Sequence, residues 1–280
     1  MSGRHPTVPA VHDSACPGRG GGRPVSSDWL VRHAPRPGAR LRLLCFPYAG
    51  GGSSAFAGWA ELVPPDVEVC SVRLPGRESR LMQRPYTDIE ELLPDLAEAV
   101  SDYCQEPFVL FGHSMGALIA FELARWQAAN GGPSPRHLVV SGRRSPHLPH
   151  NRPAIDALPD EVFVQRLREL GGTAEELLAD PRVMRLLSPG LRADFRLNDL
   201  YRYRTGPRLA CPVTAFGGRA DAHVDRAGLA AWEPHSTGPF ALRMLDGGHF
   251  FLHSSRRALL EELGAVLRHA RSEVDGAVIR

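Results

Sequence analysis

Apolar residues fall in short, nearly unbroken runs at 41–46, 67–74, 108–111, 138–140, 213–216 and 240–245, and most of these runs end in glycine or proline. Runs of this length, rich in branched and aromatic side chains and closed by turn formers, predict buried β-strands. Between several of them the apolar positions recur at helical spacing, notably over 89–100, 115–127 and 254–269. Each such stretch is long enough to carry the chain back across a sheet. Strands alternating with crossovers of that length run parallel, so the pattern predicts an α/β fold with a mostly parallel central sheet flanked by helices.

One interval breaks the alternation. From 145 to 205 a proline-rich entry leads into helical patterns over 159–170 and 173–187 with no convincing strand. It is expected to be a helical insertion, with 29–144 and 206–270 forming the core and 271–280 a tail. Val162, Phe163, Leu167 and Leu170 recur at helical spacing within it and are expected to pack against the body, while a lid over an active site is the functional reading of the same segment. Residues 1–28 have neither periodicity nor the apolar run of a signal peptide, and are expected to form a disordered leader.

At 280 residues and 43% hydrophobic content the chain is long enough for one substantial core. Thirty-three basic residues against 31 acidic give a net charge of +2, which provides no field for a polyanion, so no nucleic acid is expected as partner. Every basic residue is arginine. Without lysine a P-loop, a Schiff base and a Ser-Lys dyad are all excluded, whatever the glycine clusters at 20–22 and 50–52 suggest. No stretch approaches the roughly 20 apolar residues that span a bilayer. The five cysteines are odd in number and scattered, so no membrane association and a reducing, cytoplasmic setting are expected. His147 and His150 lie in a proline-rich loop without a further ligand nearby, and no metal is expected there.

The chemistry is carried by Gly112-His113-Ser114-Met115-Gly116, which fits G-x-S-x-G. The pattern gains force from its setting, because an apolar strand run precedes it and a helical run follows, placing Ser114 at a strand-to-helix turn. A serine hydroxyl needs a base to take its proton. His249 follows the strand run 240–245 through Gly247-Gly248, a flexible pair able to present an imidazole at the sheet's C-terminal edge, with His253 the nearest rival. The imidazole needs a carboxylate to fix its tautomer, and Asp221 follows the run 213–216 through Gly217-Gly218. Asp225 reads as a helix cap, and Asp246 abuts the histidine loop too closely. The order Ser, Asp, His is that of α/β-hydrolases and of neither chymotrypsin nor subtilisin. An oxyanion hole would take one backbone N–H from Met115 and a second from the glycine-rich loop after the first strand, where Ala49 is the choice and Tyr48 its neighbour.

Phe46-Pro47-Tyr48-Ala49-Gly50-Gly51, Arg73-Leu74-Pro75-Gly76-Arg77, the Ser114 pentapeptide, Phe216-Gly217-Gly218 with Asp221, and Gly247-Gly248-His249-Phe250 together resemble the type II thioesterases over about residues 29–270. These stand-alone enzymes accompany modular polyketide and nonribosomal peptide synthases. The resemblance implies an α/β-hydrolase fold with a helical lid insertion and hydrolysis of acyl thioesters from the phosphopantetheine arm of an acyl or peptidyl carrier protein. It implies Ser114 as nucleophile, His249 as base, Asp221 as orienting acid, the amides of Ala49 and Met115 as oxyanion hole, no cofactor, and a monomer. Many members carry histidine where Tyr48 stands, which bears on acyl or pantetheine contacts and makes Tyr48 a candidate substrate-binding residue. A small-molecule esterase or lipase is the alternative of the same fold, and a catalytically silent binding protein is the alternative of another class.

Overall fold

A computed structural model describes residues 26–150 and 152–278. Seven strands form one sheet: β1 (Leu30–Arg32), β2 (Leu41–Phe46), β3 (Val67–Val72), β4 (Phe108–His113), β5 (His137–Ser141), β6 (Val213–Gly218) and β7 (Phe240–Leu245), in the order β1-β3-β2-β4-β5-β6-β7. Every pair is parallel except β1–β3. The short edge strand β1, with no apolar run of its own, is the one strand the hydrophobic pattern does not announce. All residues of β3, β4, β5 and β6 are buried. That is the expectation for a sheet covered on both faces, and it explains why these strands read as continuous apolar runs rather than alternating ones.

The helices are α1 (Ser26–Trp29), α2 (Ile89–Val100), α3 (Met115–Ala129), α4 (Asp160–Leu170), α5 (Glu175–Leu178), α6 (Pro181–Asp199), α7 (Arg226–Ala230), α8 (Phe251–Ser254) and α9 (Arg256–Val278). Leu92, Leu93 and Leu96 of α2 and Leu118 and Leu123 of α3 join Leu44, Leu110 and Val140 in a core on one face of the sheet. Leu259, Leu263 and Leu267 of α9 join Leu43, Val69, Val109 and Val139 on the other. Helix α2 starts where the Asp88 carboxylate accepts the Glu90 amide at 2.7 Å, and α6 starts at Pro181 with Asp180 accepting the Arg182 amide at 2.8 Å. The parallel sheet and flanking helices are those of an α/β-hydrolase.

Between β5 and β6 the chain forms α4, α5 and α6. Phe163, Leu167, Leu178, Met184, Leu191 and Phe195 pack together as a third, separate cluster. The expected packing against the body is therefore corrected: Phe163, Leu167 and Leu170 face this local cluster, and Val162 is 44% exposed. The helical run read as 173–187 is two helices, broken by an Asp-Pro pair at 180–181 that caps the second. Helix α9 continues to Val278, through most of the stretch expected as a tail. The expected leader lies outside the described residues except at its end, where α1 begins.

Candidate active site

Ser114 sits between the last residue of β4 and the first of α3, with φ 54° and ψ −114°. A left-handed φ is strained for any residue with a side chain and is held here by its neighbours. A β-carbon on Gly112 would lie 2.1 Å from the Gly116 carbonyl oxygen, and one on Gly116 would lie 2.0 Å from the Phe46 oxygen. Both glycines of the motif are thus required by backbone packed on backbone. The Ser114 amide donates to the Ser141 carbonyl at 2.8 Å, fixing the turn to the neighbouring strand. His113, between strand and serine, is buried, and its Nδ1 shares a 2.9 Å hydrogen bond with the Ser141 hydroxyl. Burial, with His249 and His253 nearby, holds its pKa well below the usual imidazole range.

Asp221 and His249 follow β6 and β7, so with Ser114 they stand at the C-terminal ends of three parallel strands. His249 Nδ1 donates to Asp221 Oδ2 at 2.8 Å. The Asp221 side chain is 0% exposed, and its other oxygen accepts the amides of His223 at 2.8 Å and Val224 at 3.2 Å. Burial pushes this carboxyl's pKa up, but the bond from His249 and the two amides outweigh it and leave the pKa below the usual aspartate value. With its Nδ1 proton committed to Asp221, His249 presents Nε2 as the free acceptor.

Ser114 and His249 line one cleft of roughly 910 Å³, its open mouth included, together with Tyr48, Ala49, Phe195 and Phe250. Among the described residues the Ser114 hydroxyl is not closed onto a hydrogen-bond partner. Such contacts are often long before substrate arrives and tighten in the complex. Met115 opens α3, so its amide is one of those a helix leaves unpaired at its N-terminus, directed where an anion would be stabilised. Ala49 borders the same cleft from the loop after β2.

The rival residues go elsewhere. His253 shares a 3.0 Å hydrogen bond with the Tyr48 hydroxyl, Asp225 caps α7 by accepting the Gly228 amide at 2.8 Å, and Asp246 meets Arg219 at 3.2 Å on the surface. His147 and His150 diverge: His147 shares hydrogen bonds with Ser145 and His235 at 2.9 and 2.8 Å, while His150 reaches the Tyr201 carbonyl at 3.0 Å. Tyr48 is buried, with its ring edge-on to Phe250 at 5.0 Å, and burial raises its phenol's pKa.

Sequence reasoning missed one group at the site. Asp194 of α6 forms a buried ion pair with Arg77 at 2.6 Å, while its second oxygen accepts the Gly50 amide at 2.8 Å. Arg77 also donates to the Gly51 carbonyl at 2.8 Å. The loop carrying Ala49 is thereby tied to the helical segment across 144 residues of sequence. An aspartate in the middle of an amphipathic helix carries no local sign of such a partner. Its only sequence trace is a charged residue at a position that the apolar period assigns inward.

Comparison with known proteins adds to this geometry. The family model described as "Thioesterase domain" matches residues 41–267. The chain belongs to the thioesterase family. Members of this family are hydrolases that act on thioesters. Gramicidin S biosynthesis protein GrsT of Aneurinibacillus migulanus is 43% identical over 240 residues, covering 86% of this chain and 94% of its own. Thioesterase PikA5 of Streptomyces venezuelae is 37% identical, covering 92% of this chain and 93% of its own. Among solved structures, the RedJ thioesterase of the prodiginine pathway in Streptomyces coelicolor is 45% identical with a TM-score of 0.75, covering 81% of this chain and 85% of that one. The type II thioesterase BorB of the borrelidin cluster is 38% identical with a TM-score of 0.78, over 85% of this chain and 97% of its own. The thioesterase family match takes in Ser114, Asp221 and His249 alike.

Proposed function

We propose that the protein is a stand-alone type II thioesterase that frees acyl groups from the phosphopantetheine arms of carrier proteins, clearing stalled or mis-primed units in secondary-metabolite assembly in the cytoplasm. The observation that carries the catalytic part is the 2.8 Å His249–Asp221 pair opening onto the same cleft as a serine held at φ 54°. The likeness to GrsT, PikA5 and BorB supports the biosynthetic setting.

In this reading His249 Nε2 takes the Ser114 proton as the hydroxyl attacks the thioester carbonyl, and Asp221 stabilises the imidazolium formed. The oxyanion is held by the amides of Met115 and Ala49. The tetrahedral intermediate collapses, breaking the C–S bond, and the thiol of the arm leaves with the proton from His249. Water then repeats the sequence on the acyl-serine, releasing the carboxylic acid and restoring the hydroxyl. Segment 145–205 acts as a lid that admits the arm and shields the acyl-enzyme. The test is a hydrolysis panel of acyl-loaded carrier proteins beside p-nitrophenyl esters. Carrier-bound thioesters are expected to turn over with the higher kcat/KM, and Ser114→Ala to lose turnover while keeping its fold. Preference for the free esters would make the protein a general esterase, and full activity in Ser114→Ala would remove the serine mechanism altogether.

A further inference from the structure

Among the described residues only two that carry a side chain adopt a left-handed φ: Ser114 at 54° and Glu78 at 49°. Such a conformation is strained for glutamate and persists only where the surroundings over-determine it. At Ser114 the reason is the elbow. At Glu78 it lies in what the carboxylate reaches. One oxygen accepts the Ser53 hydroxyl at 2.7 Å, and the other accepts the Ser54 amide at 3.3 Å. The preceding residue, Arg77, donates to the Gly51 carbonyl at 2.8 Å. Arg77 is extended, with φ −151° and ψ 160°, and an extended chain directs consecutive side chains to opposite sides. The left-handed step at Glu78 is where the chain departs from that rule, so that both side chains close on one loop.

The strained turn is supported from behind. Arg80 is buried, donates to the Arg73 carbonyl at 2.9 Å and lies over the Trp29 ring at 4.1 Å, while its amide donates to the Arg77 carbonyl at 2.8 Å. Segment 77–80 is thus a fixed support, and what it holds is the loop that carries Ala49. At its start that loop lies against the elbow, since a β-carbon on Gly116 would stand 2.7 Å from the Pro47 oxygen. At its end Ser53 and Phe56 are buried in the 3₁₀ turn Ser53–Phe56. Gly50, Gly51 and Gly52 between these ends add little stiffness of their own. The place of the Ala49 amide therefore depends on what grips them. Asp194 and Arg77 hold Gly50 and Gly51, and Glu78 holds the remaining limb at Ser53 and Ser54. An oxyanion hole works through donors already in place when the charge develops, and a loop that must first be ordered forfeits that gain.

We propose that Glu78 is a positioning residue for the oxyanion hole: its carboxylate, brought round by the left-handed backbone, holds the loop so that the Ala49 amide stands ready for the developing anion. Glu78 does not line the cleft and acts through the loop alone. This rests on the serine-hydrolase reading of the site and adds a residue to it.

The experiment uses Glu78→Gly, which removes the carboxylate and relieves the backbone strain together, and Glu78→Gln, which keeps one acceptor oxygen. Three quantities are read. The first is kcat/KM for the acetyl thioester of N-acetylcysteamine. The second is Ki for S-trifluoroacetonyl-N-acetylcysteamine, whose ketone carbonyl adds the Ser114 oxygen to give a stable hemiketal oxyanion as the serine proton passes to His249. The third is Kd of the acetyl thioester for Ser114→Ala with and without Glu78→Gly. Glu78→Gly is expected to lower kcat/KM by about tenfold, less than the roughly 10²–10³-fold of losing a donor outright, and to raise Ki by the same factor. Kd should not move, and Glu78→Gln should recover part of both losses. Unchanged kcat/KM overturns the proposal. So does a fall in kcat/KM with Ki unchanged or with Kd weakened to match, because Glu78 would then serve the fold or ground-state binding. If the wild-type protein turns over p-nitrophenyl acetate but not the thioester, the thioesterase reading falls, while kcat/KM for the ester and Ki for the ketone still decide Glu78. If it hydrolyses neither compound and does not bind the ketone, no oxyanion is there to be served and both readings fall.

Discussion

At Asp221 two opposed effects meet on one side chain, and the balance between them has consequences for rate and for stability. Full enclosure acts against its charge, while His249 and the two backbone amides act for it and prevail. Replacing the carboxylate with an amide leaves the shape but lets His249 adopt the wrong tautomer, with its Nε2 carrying the proton. Asp221→Asn is therefore expected to lower kcat by about 10³–10⁴-fold, less than the roughly 10⁶-fold of Ser114→Ala, because the oxyanion hole and substrate binding still act. The same variant has a stability signature. A carboxyl whose pKa is lower folded than unfolded stabilises the fold above the unfolded value, near 3.9, and loses that contribution as pH falls through the folded value. Urea melts of wild type and Asp221→Asn should differ at pH 7 and converge below about pH 4. A pH-independent difference would mean the carboxylate is not held as described.

The elbow and the Asp194 clamp show what an element can and cannot reveal about itself. At the elbow the required residues are adjacent in sequence, so the motif was legible, and its reason is steric. Gly116→Ala would drive a methyl to 2.0 Å from the Phe46 oxygen, and the atoms it meets there are backbone of Phe46 and Pro47, with no flexible side chain to yield. The expected loss is about 2–4 kcal/mol in a denaturant melt, with activity falling alongside as Ser114 shifts. The clamp is the opposite case. Asp194, Arg77 and Gly50 lie on α6 and two loops far apart in the chain, and no local pattern joins them. Asp194→Ala leaves the Arg77 charge buried and the Gly50 amide unpaired, an effect of about 3–5 kcal/mol. Because the clamp also sets the Ala49 loop, kcat should drop in the folded fraction while Ser114 still reacts with a fluorophosphonate probe. Unchanged kcat with lowered stability would limit Asp194 to holding the fold. Likewise the six apolar strands and α2, α3 and α9 were legible from periodicity. The edge strand β1 and the break between α5 and α6 were not, because three residues carry no period and the apolar spacing runs on across the Asp180-Pro181 pair that starts α6.

Across the whole molecule, the histidines among the described residues divide by environment in a way that composition alone does not disclose. His137 shares a hydrogen bond with the Thr214 hydroxyl at 2.9 Å between two central strands. His235 sits where Ser145 and Tyr203, from the two ends of the helical segment, converge on one ring. Burial lowers both imidazoles from 6.5 to about 4, helped at His235 by His147 and two arginines. His113, deeper still, is lowered as well. All three are thus neutral in the fold and free to protonate once it opens. Between pH 6.5 and 4 the unfolded chain binds more protons than the folded one, so stability must rise with pH across that window and fall as it is acidified. For His137 and His235 the shift corresponds to about 3 kcal/mol each once pH is below 4, a sizeable part of an ordinary domain's stability. A thermal-melting series from pH 7.5 to 4.5 stays above most carboxylate titrations and should show a Tm that declines steadily below 6.5. His137→Asn, which keeps a partner for Thr214 but cannot take a proton, should flatten that slope although it lowers Tm at pH 7. If the wild-type Tm is level down to pH 4.5, these rings accept protons within the folded protein, and the enclosure described around them is wrong.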